Sequence, residues 1–522
     1  MNMCSALLSC LIGVYTVSVA GAGDLDPPPG PVAPSMKTLD QVEPRTAVNE
    51  ENTPGTGSAS FVIDEPGSYY LTSNITGEAG KSGISIRASG VTLDLNGFTV
   101  EGVDGATNGI NVGELTFRQG VRITNGVVRD WPGVGVRLRA EACQVDRVRL
   151  VDNETWGLDA SEGFELTLES CSGFINGTVD ASEKGDFRLA QASVVRDCIS
   201  RSTDGVAFSA SEAVSATLRG CTAQSPRDGG FYLESRNVVL SDCAASNAAG
   251  ESTFVDAFEI VGSSIAIENC AARQASGTGF VLRGPVDTND GTATIRGCAA
   301  QNCGLDGFEF RRLSVTAENC IANGSDSDGF ALDSFEGGLR PTSVFRGCVA
   351  RDSGADGFDL DEFANAIDCS AAGAGDNGFV SRDSVTFENC TAMEFTRSGF
   401  VVGQSCVARD CNAVAGCDTT AAIEVDGLDA HVKNNTISND CTPAASVGVL
   451  VSAADAVIEG NTIDGMSWGV ELTSSSSDAH VWRNFFNDGG DVLDNGVINT
   501  VAPILSDSDI ANATNPFANW GD

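Results

Sequence analysis

The chain has few basic residues for its length. Of its 522 residues, 71 are Asp or Glu and 31 are Lys or Arg, which gives a formal net charge of −40, and only four of the basic residues are lysines. A nucleic-acid-binding protein needs a positive face, so this composition predicts no nucleic-acid partner. An acidic surface keeps a secreted protein soluble, and it repels an acidic glycan unless a cation such as Ca²⁺ bridges the two.

Several other features are scarce. Histidine occurs only at His431 and His480, and no CxxC pair is present, so the common ligand patterns of zinc sites are lacking. No apolar run of eighteen residues follows residue 23, which predicts no transmembrane segment in the mature chain. The sequence also lacks the helical apolar stripe that a leucine-rich or helical repeat requires.

A cysteine repeat is the strongest positive feature. Each repeated cysteine ends a short alternation of apolar and polar residues, as in VTFENCTA and VTAENCIA. Eleven of them follow at intervals of 21 to 28 residues: Cys171, Cys198, Cys221, Cys243, Cys270, Cys298, Cys320, Cys348, Cys369, Cys390 and Cys411. Other repeats carry Asn96, Asn125, Val148, Asn435, Asn461 and Asn484, which we assign to the same position. A period of this length is typical of a solenoid.

A second repeated pattern places a polar residue before Gly and an alternating strand. It recurs as DGFEF from Asp306, DGFAL from Asp328 and DGFDL from Asp356. Apolar residues alternate with period two, and Gly, Asn, Asp and Ser occupy the joints between the strands. We therefore predict an all-β fold, a single parallel β-helix of about 17 coils spaced about 4.8 Å apart, with Asn and Cys stacked in an internal ladder.

The chain divides into four segments by composition. Residues 1–22, which end in small residues, are predicted to be a signal peptide. Residues 23–59, which are rich in Pro and Gly, are predicted to be a flexible leader. The β-helix is predicted over residues 60–500, and residues 501–522 are predicted to cap the last coil, whose open edge would otherwise invite aggregation. This organisation predicts a secreted or cell-surface protein.

The cysteines predict one disulfide only. Stacked side chains on adjacent parallel strands keep their Cβ atoms near the strand spacing, which is beyond the usual disulfide distance. Most ladder thiols should therefore be free and buried. Cys417 and Cys441 lie six residues after Cys411 and Asn435, at equivalent turn positions of neighbouring coils, and we predict that they form a disulfide.

The VTLDLNGFTV segment, the ladder and the DGF strands resemble the right-handed parallel β-helix proteins of the pectate-lyase-like superfamily. The resemblance covers about residues 60–500. The segment PVAPSMKTLDQVEPR, followed by FVIDEPGSYYLTSNITG, is similar to the start of secreted bacterial members without assigned activity. The resemblance implies a right-handed coil and a substrate groove along the sheet that follows each DG. The same fold carries many activities.

Candidate site residues lie on the outward positions of that sheet. Alternation points six charged side chains outward: Glu309, Arg311, Asp333, Asp359, Asp361 and Arg382. Upstream, Asp306, Asp328 and Asp356 stack three carboxylates, which need a cation, a raised pKa or hydrogen bonds from turn amides. One hypothesis is that these three aspartates bind Ca²⁺ and a sugar acid.

The resemblance to lyases implies that Arg311 or Arg382 would then abstract the proton α to a uronate carboxyl. In this hypothesis Asp333, Asp359 and Asp361 complete the catalytic set, and an inverting hydrolase would use two such carboxylates. The alternative is that Asp before Gly caps turn amides and that the outward charges are ordinary solvated residues.

Two functions follow as hypotheses. The first is a secreted, acidic, non-catalytic rod that binds a polysaccharide or cell-surface glycan and requires no cofactor. The second is a polysaccharide lyase or glycoside hydrolase that acts on an acidic polysaccharide with Ca²⁺. The paired Asp-Asp and Gly-His-Gly groups of hydrolases in the resembled superfamily have no match in the chain, which disfavours a hydrolase.

Overall fold

The computed structural model describes residues 45–114, 116–178, 184–250, 254–285, 291–333, 342–417, 419–439, 446–488, 490–505 and 515–521. All of the regular elements in these ranges are β-strands, and all of their pairings are parallel. They form a parallel β-solenoid of about 19 turns, close to the 17 predicted. Each turn contributes to three sheets, which we number in the order that the chain visits them after each DG.

The first sheet contains Ala59–Ile63, Ser82–Ile86, Ile110–Val112, Val136–Leu138, Trp156–Asp159, Gly185–Arg188, Phe258–Val261, Phe280–Arg283, Phe308–Arg311, Phe330–Asp333, Phe358–Glu362, Phe379–Asp383, Ser398–Val402, Ala421–Val425, Val447–Val451, Trp468–Leu472 and Val492–Asp494. The second sheet contains Thr46–Val48, Gly67–Leu71, Val91–Asp94, Arg118–Gln119, Phe164–Glu169, Ala192–Arg196, Ser264–Glu268, Gly291–Arg296, Leu313–Glu318, Ser343–Arg346, Ala364–Ile367, Thr386–Glu388, Val407–Arg409, His431–Lys433, Val457–Glu459, His480–Trp482 and Thr500–Val501.

The third sheet contains Ile75–Thr76, Thr99–Glu101, Ser172–Phe174, Ile199–Arg201, Thr222–Gln224, Ala244–Ser246, Ala271–Arg273, Ala299–Gln301, Ile321–Asn323, Val349–Arg351, Ser370–Ala372, Thr391–Met393, Asn412–Ala415, Thr436–Asn439, Thr462–Asp464, Phe485–Asn487, Ile504–Leu505 and Asn519–Gly521. Four long strands run through a corner and join two sheets: Arg122–Arg129, Ala140–Val151, Val206–Arg219 and Gly229–Ser241.

The second and third sheets meet at the position that the cysteines occupy. The residue before that position has left-handed backbone torsions in many coils, and the chain turns there. Register places Gly126 opposite Val148 at the ladder position, and the side chain of Leu95 lies over Gly126. Asn96 and Asn125 are exposed left-handed turn residues instead, so their assignment to the ladder was wrong. Asparagine favours a left-handed turn as well as a ladder, and the sequence pattern does not separate the two roles.

The ladder thiols are free and buried, as predicted. The eleven repeated cysteines are only 0–2% exposed. Each thiol lies against backbone carbonyls, as Cys320 shows, with its Sγ 3.6 Å from the Ile295 oxygen and 3.5 Å from the Glu318 oxygen. Burial raises the pKa of the Cys390 thiol well above its ordinary value, which keeps it protonated and unreactive.

Cys417 stands apart from the ladder. It is disulfide-bonded. Its predicted partner, Cys441, lies outside the described residues, so the pairing of Cys417 with Cys441 stays a prediction.

Towards the C-terminus, asparagines continue the same column. The Asn435 side-chain amide donates to Asn461 Oδ1 at 3.0 Å, and the Asn461 amide donates to Asn484 Oδ1 at 2.9 Å. The Asn484 amide reaches Asn519 Oδ1 at 3.3 Å, and the Cys411 N–H donates to Asn435 Oδ1 at 2.9 Å. Thiols and carboxamides therefore form one stack, because both are small polar groups that can bond along the coil axis.

A phenylalanine stack fills the opposite side of the interior, against the first sheet. Neighbouring rings have centroids 4.6–5.1 Å apart and planes within 18° of parallel. Ten rings belong to it, all at most 1% exposed: Phe187, Phe208, Phe231, Phe258, Phe280, Phe308, Phe330, Phe358, Phe379 and Phe400. Burial of these rings contributes to the apolar core of the central coils.

A glycine precedes the phenylalanine in seven of the ten coils, and close packing explains it; Asp186, Ala207 and Ala257 stand there in the other three. A Cβ at Gly329 would lie 2.6 Å from the Ala350 Cβ and 2.6 Å from the Gly357 carbonyl oxygen. The first and third sheets therefore approach each other too closely for a side chain at this position. The DGF motif thus combines a close backbone contact with one ring of the stack.

Strand pairing extends beyond residues 60–500 at both ends of the solenoid. Thr46–Val48 pairs with Gly67–Leu71, and Arg45 forms an ion pair with Asp94 at 2.7 Å, so the solenoid begins within the segment predicted as a flexible leader. At the other end, Asn519–Gly521 pairs with Phe485–Asn487. The predicted signal peptide and leader residues 23–44 lie outside the described residues.

We predict that Phe308→Ala lowers the free energy of unfolding by about 3–5 kcal/mol, because it removes a ring from the middle of the stack and leaves a cavity. Denaturant unfolding measures this change, and hydrogen exchange of the neighbouring amides locates it. Phe174→Ala is the matched control, since Phe174 is 41% exposed on the third sheet. Equal losses for the two variants would contradict a structural role of the stack.

Candidate functional site

The predicted site residues lie on the outward side of the first sheet, from Trp156–Asp159 to Phe379–Asp383, which we call the first-sheet face. Register confirms that Glu309, Ala331 and Asp359 follow one another in one column of this face. Arg311 and Asp333 are neighbours in the next outward column. The sequence alternation therefore placed these strand residues correctly.

The aspartates before Gly form a hydrogen-bonded column at the edge of this face. Asp306 Oδ1 accepts the N–H of Asp328 at 3.0 Å, and Asp328 Oδ1 accepts the N–H of Asp356 at 2.8 Å. Asp356 Oδ1 in turn accepts both the backbone and the side-chain N–H of Asn377, at 2.8 and 2.9 Å. Each carboxylate thus binds the amide of the next coil.

Burial also reduces the repulsion among these carboxylates, because it favours their protonated, uncharged forms. It raises the pKa of Asp328 to about 7, with further contributions from Asp306 and Asp356, and it raises the pKa of Asp356 as well. Within the described ranges, no three His, Cys, Asp or Glu side chains converge on a point that could hold a metal ion. Calcium binding by Asp306, Asp328 and Asp356 stays a prediction.

The two candidate arginines are held by carboxylates. Arg311 forms ion pairs with Glu309 and with Asp333, the latter at 3.1 Å. Arg382 forms an ion pair with Asp361 at 2.9 Å. Glu309 and Asp361 are only 7% and 6% exposed, so they lie beneath their arginines and are not the solvated charges that the alternative reading expected.

Asp359 is the candidate residue with the most distinctive environment. Its Oδ1 is buried and has no hydrogen-bond partner in the part of the chain that the structure describes. Burial first, then the charges of Asp356, Asp361 and Asp333, raise the pKa of this carboxyl to about 6, and Arg382 opposes the rise. A carboxyl group of this kind keeps its proton in mildly acidic solution and can donate it.

A groove lies on the same face at earlier coils. We call it the Trp156 groove; its volume is about 750 Å³. Its lining residues are mostly polar: Trp156, Ser161, Lys184, Arg188, Gln191, Val206, Ser209, Ser211, Glu212, Asp228, Tyr232, Glu234 and Glu259. Arg188, Ser209, Tyr232 and Glu259 follow one another in one outward column. The Arg188 guanidinium lies 5.7 Å from the centre of the Trp156 ring.

Sequence reasoning missed this groove. Its strands lack the repeated DGF motif, and its polar residues come from coils of unequal length. The available signal was Trp156 in the pre-Gly position together with polar outward residues on the next strands. Trp156 is 4% exposed beneath Arg188, so the ring supports the groove floor and is not an open platform.

The two histidines do not form a site. His431 and His480 flank Val457 in one column of the second sheet. Burial lowers the pKa of His431, which favours its neutral form. Their equivalent positions in the repeat explain why both are histidines on this sheet, and neither a shared proton nor a shared metal is needed.

Two family models match parts of the chain. One, described as a right-handed β-helix region, matches residues 260–392, and the other, described as the periplasmic copper-binding protein NosD, matches residues 346–500. With the parallel coil, these matches confirm the resemblance to right-handed β-helix proteins and are consistent with the pectate-lyase-like superfamily. No curated protein sequence matches the chain significantly.

Several solved structures match the chain at low identity and low TM-score. The catalytic domain of an α-1,3-glucanase matches with 13% identity and a TM-score of 0.37, over 59% of this chain and 64% of that domain, which is less than two thirds of it. The A-module of the Azotobacter vinelandii mannuronan C-5 epimerase matches with 11% identity and a TM-score of 0.27, over 87% and 90%. The tailspike protein of an E. coli bacteriophage matches with 13% identity and a TM-score of 0.23, over 84% and 72%.

The described residues within 346–500 do not fit a copper site. Copper prefers thiolate, thioether or imidazole ligands that converge on one point. The free thiols there are buried, and no three His, Cys, Asp or Glu side chains among the described residues are placed to hold a metal ion. None of the described segments forms a helix with the length and hydropathy of a membrane span.

We predict that the Asp359 carboxyl titrates near pH 6 in carbon-detected NMR. Arg382→Ala should raise the pKa of Asp359 further, because Arg382 is the cation that stabilises its ionised form. Arg409→Ala serves as the control, since Arg409 pairs with Glu388 on the second sheet and should leave the titration unchanged. A titration near the ordinary aspartate value would contradict the described environment.

Proposed function

We propose that this protein is a non-catalytic, glycan-binding β-helix that acts outside the cytoplasm and binds its ligand in the Trp156 groove. The groove geometry carries the proposal. Its volume of about 750 Å³ is in the range of small-molecule sites and would hold a short oligosaccharide. Hydroxyl, amide, carboxylate and guanidinium groups line it, and these are the donors and acceptors that sugar hydroxyls require.

The strand framework supports binding without induced fit. Arg188, Ser209 and Tyr232 project from adjacent parallel strands, so their spacing is set by the backbone. Inward neighbours in the same strands belong to the phenylalanine stack, which fixes the sheet from below. A preformed site of this kind loses little entropy when it binds a ligand.

The arginine pairs argue against a lyase mechanism. A catalytic base must lose its proton, and Arg311 and Arg382 each contact carboxylates that stabilise the protonated guanidinium. The predicted signal peptide, the acidic surface and the buried thiols support a location outside the cytoplasm, since buried thiols resist oxidation there.

We predict that the purified protein binds an oligosaccharide selected on a glycan array and that Tyr232→Ala and Arg188→Ala each weaken the Kd about tenfold, through lost hydrogen bonds and ring contact. Isothermal titration calorimetry measures the change. Arg219→Ala, on the second sheet, is the control that should retain wild-type affinity. Equal affinity for all four proteins would exclude the groove as the site.

A carbohydrate-active enzyme is the second candidate, and the raised pKa of Asp359 favours it. A protonated Asp359 could serve as a general acid for a glycosidic oxygen, with Asp333 or Asp361 as the second carboxylate. If the enzyme were a lyase, Asp306, Asp328 and Asp356 would bind the Ca²⁺ that bridges the protein and the sugar acid.

For this candidate we predict release of reducing ends or unsaturated uronates from a polysaccharide panel, with and without Ca²⁺. Asp359→Asn should abolish the activity, because the amide cannot donate the proton that the acid supplies. Asp242→Asn, at an exposed turn, is the matched control. A blank panel for the wild-type protein, together with glycan binding, would favour the non-catalytic function.

A further inference from the structure

The third sheet carries an electrostatic pattern that the rest of this acidic chain lacks. The strands from Arg149–Val151 to Thr436–Asn439 contain no Asp or Glu over thirteen consecutive coils. The equivalent outward column of the second sheet contains four glutamates in eleven coils: Glu169, Glu268, Glu318 and Glu388. A chain with 71 acidic residues has therefore kept one face free of them.

Arginines recur on this face at a fixed interval. Register aligns seven residues of adjacent coils in one outward column: Arg201, Gln224, Ser246, Arg273, Gln301, Asn323 and Arg351. We call this column the third-sheet strip. Its three arginines are each three coils apart, which corresponds to about 14 Å.

The arginines of the strip are available to a partner. Arg201, Arg273 and Arg351 are exposed, and none of them forms a salt bridge with the described residues. Two arginines of the second sheet are paired instead: Arg296 with Glu318 and Arg409 with Glu388. The other members of the strip carry amides or a hydroxyl, which are hydrogen-bond donors and acceptors.

Most of the turn residues beside the strip are also uncharged. The residue that follows each strand is neutral in the first six of the seven coils, and Asp352 follows Arg351 in the last: Ser202, Ser225, Asn247, Gln274, Asn302, Gly324 and Asp352. Alanines occupy the parallel outward column in three successive coils, at Ala244, Ala271 and Ala299. At one end, a hollow of about 370 Å³ lies against Arg149, Phe174 and Arg201.

We propose that the third-sheet strip binds a linear anionic polysaccharide that lies along the coil axis. Its carboxylate or sulfate groups would pair with the arginines at every third coil, and its hydroxyl groups would bond to the amides between them. A single-stranded nucleic acid fits less well, because the strip has no aromatic platform on which its bases could stack. This surface is separate from the Trp156 groove, so the two proposals stand or fall independently.

The test uses the full secreted chain at moderate salt, where the overall negative charge is screened. Immobilised heparin supplies sulfates, polygalacturonate supplies carboxylates, and dextran supplies neither. We expect the wild-type protein to bind heparin, polygalacturonate or both, and not dextran. The triple variant Arg201→Gln, Arg273→Gln, Arg351→Gln should bind about tenfold more weakly or less, through loss of charge-assisted hydrogen bonds.

A second triple variant provides the control for net charge. Arg196→Gln, Arg236→Gln and Arg346→Gln remove three exposed arginines outside the third sheet, so the total charge changes equally, and wild-type binding should persist. Equal losses for the two variants, or no wild-type binding to either anionic polymer, would overturn the proposal. Equal affinity for duplex DNA and heparin would overturn its assignment to a polysaccharide. Loss of oligosaccharide binding through Tyr232→Ala alone would concern only the groove.

Discussion

Parallel stacking of similar coils forces every side chain to lie beside its equivalent in the next coil, about 4.8 Å away. Only some side chains gain from such a neighbour. Phenylalanine rings lie flat on one another, carboxamides donate to the next carboxamide, and thiols reach backbone carbonyls. These three groups occupy the interior columns because each finds a favourable partner along the coil axis, in the neighbouring side chain or backbone. The same few residue types therefore recur for most of the chain.

For charged residues the same stacking is unfavourable, because it places like charges side by side. Stacked carboxylates repel one another, and the structure reduces this repulsion in three ways. The aspartate column receives backbone amides and gains raised pKa values, as Asp328 shows. Outward glutamates pair with arginines of adjacent coils, as Glu388 pairs with Arg409. The third-sheet strands from residues 149–151 to Thr436–Asn439 omit carboxylates, which leaves their arginines for a partner.

The outward faces therefore differ in chemistry although they share one backbone geometry. The first-sheet face holds a polar groove at its early coils and a set of paired charges at its later coils. Carboxylate pairing at Arg311 and Arg382 stabilises the protonated guanidinium, and this favours recognition over proton abstraction. The third-sheet strip adds a repeating charge pattern, which suits an extended polymer better than a compact ligand. Together these surfaces support the proposal that the protein binds glycans along its coils.

Much of the architecture followed from local pattern. The cysteine interval, the period-two alternation and the DGF motif predicted a parallel solenoid, its buried free thiols and the outward direction of Glu309 and Asp359, because each depends on strand periodicity alone. The exact ladder position of Asn96 and Asn125 was misassigned, since asparagine suits a left-handed turn as well as a stack. The contacts between side chains of different coils depend on strand register and on the unequal lengths of the coils. Register and coil length determine that Asp361 lies beneath Arg382, that Trp156 lies beneath Arg188 and that Arg201, Arg273 and Arg351 share one column, because residues twenty or more positions apart meet only when the coils close.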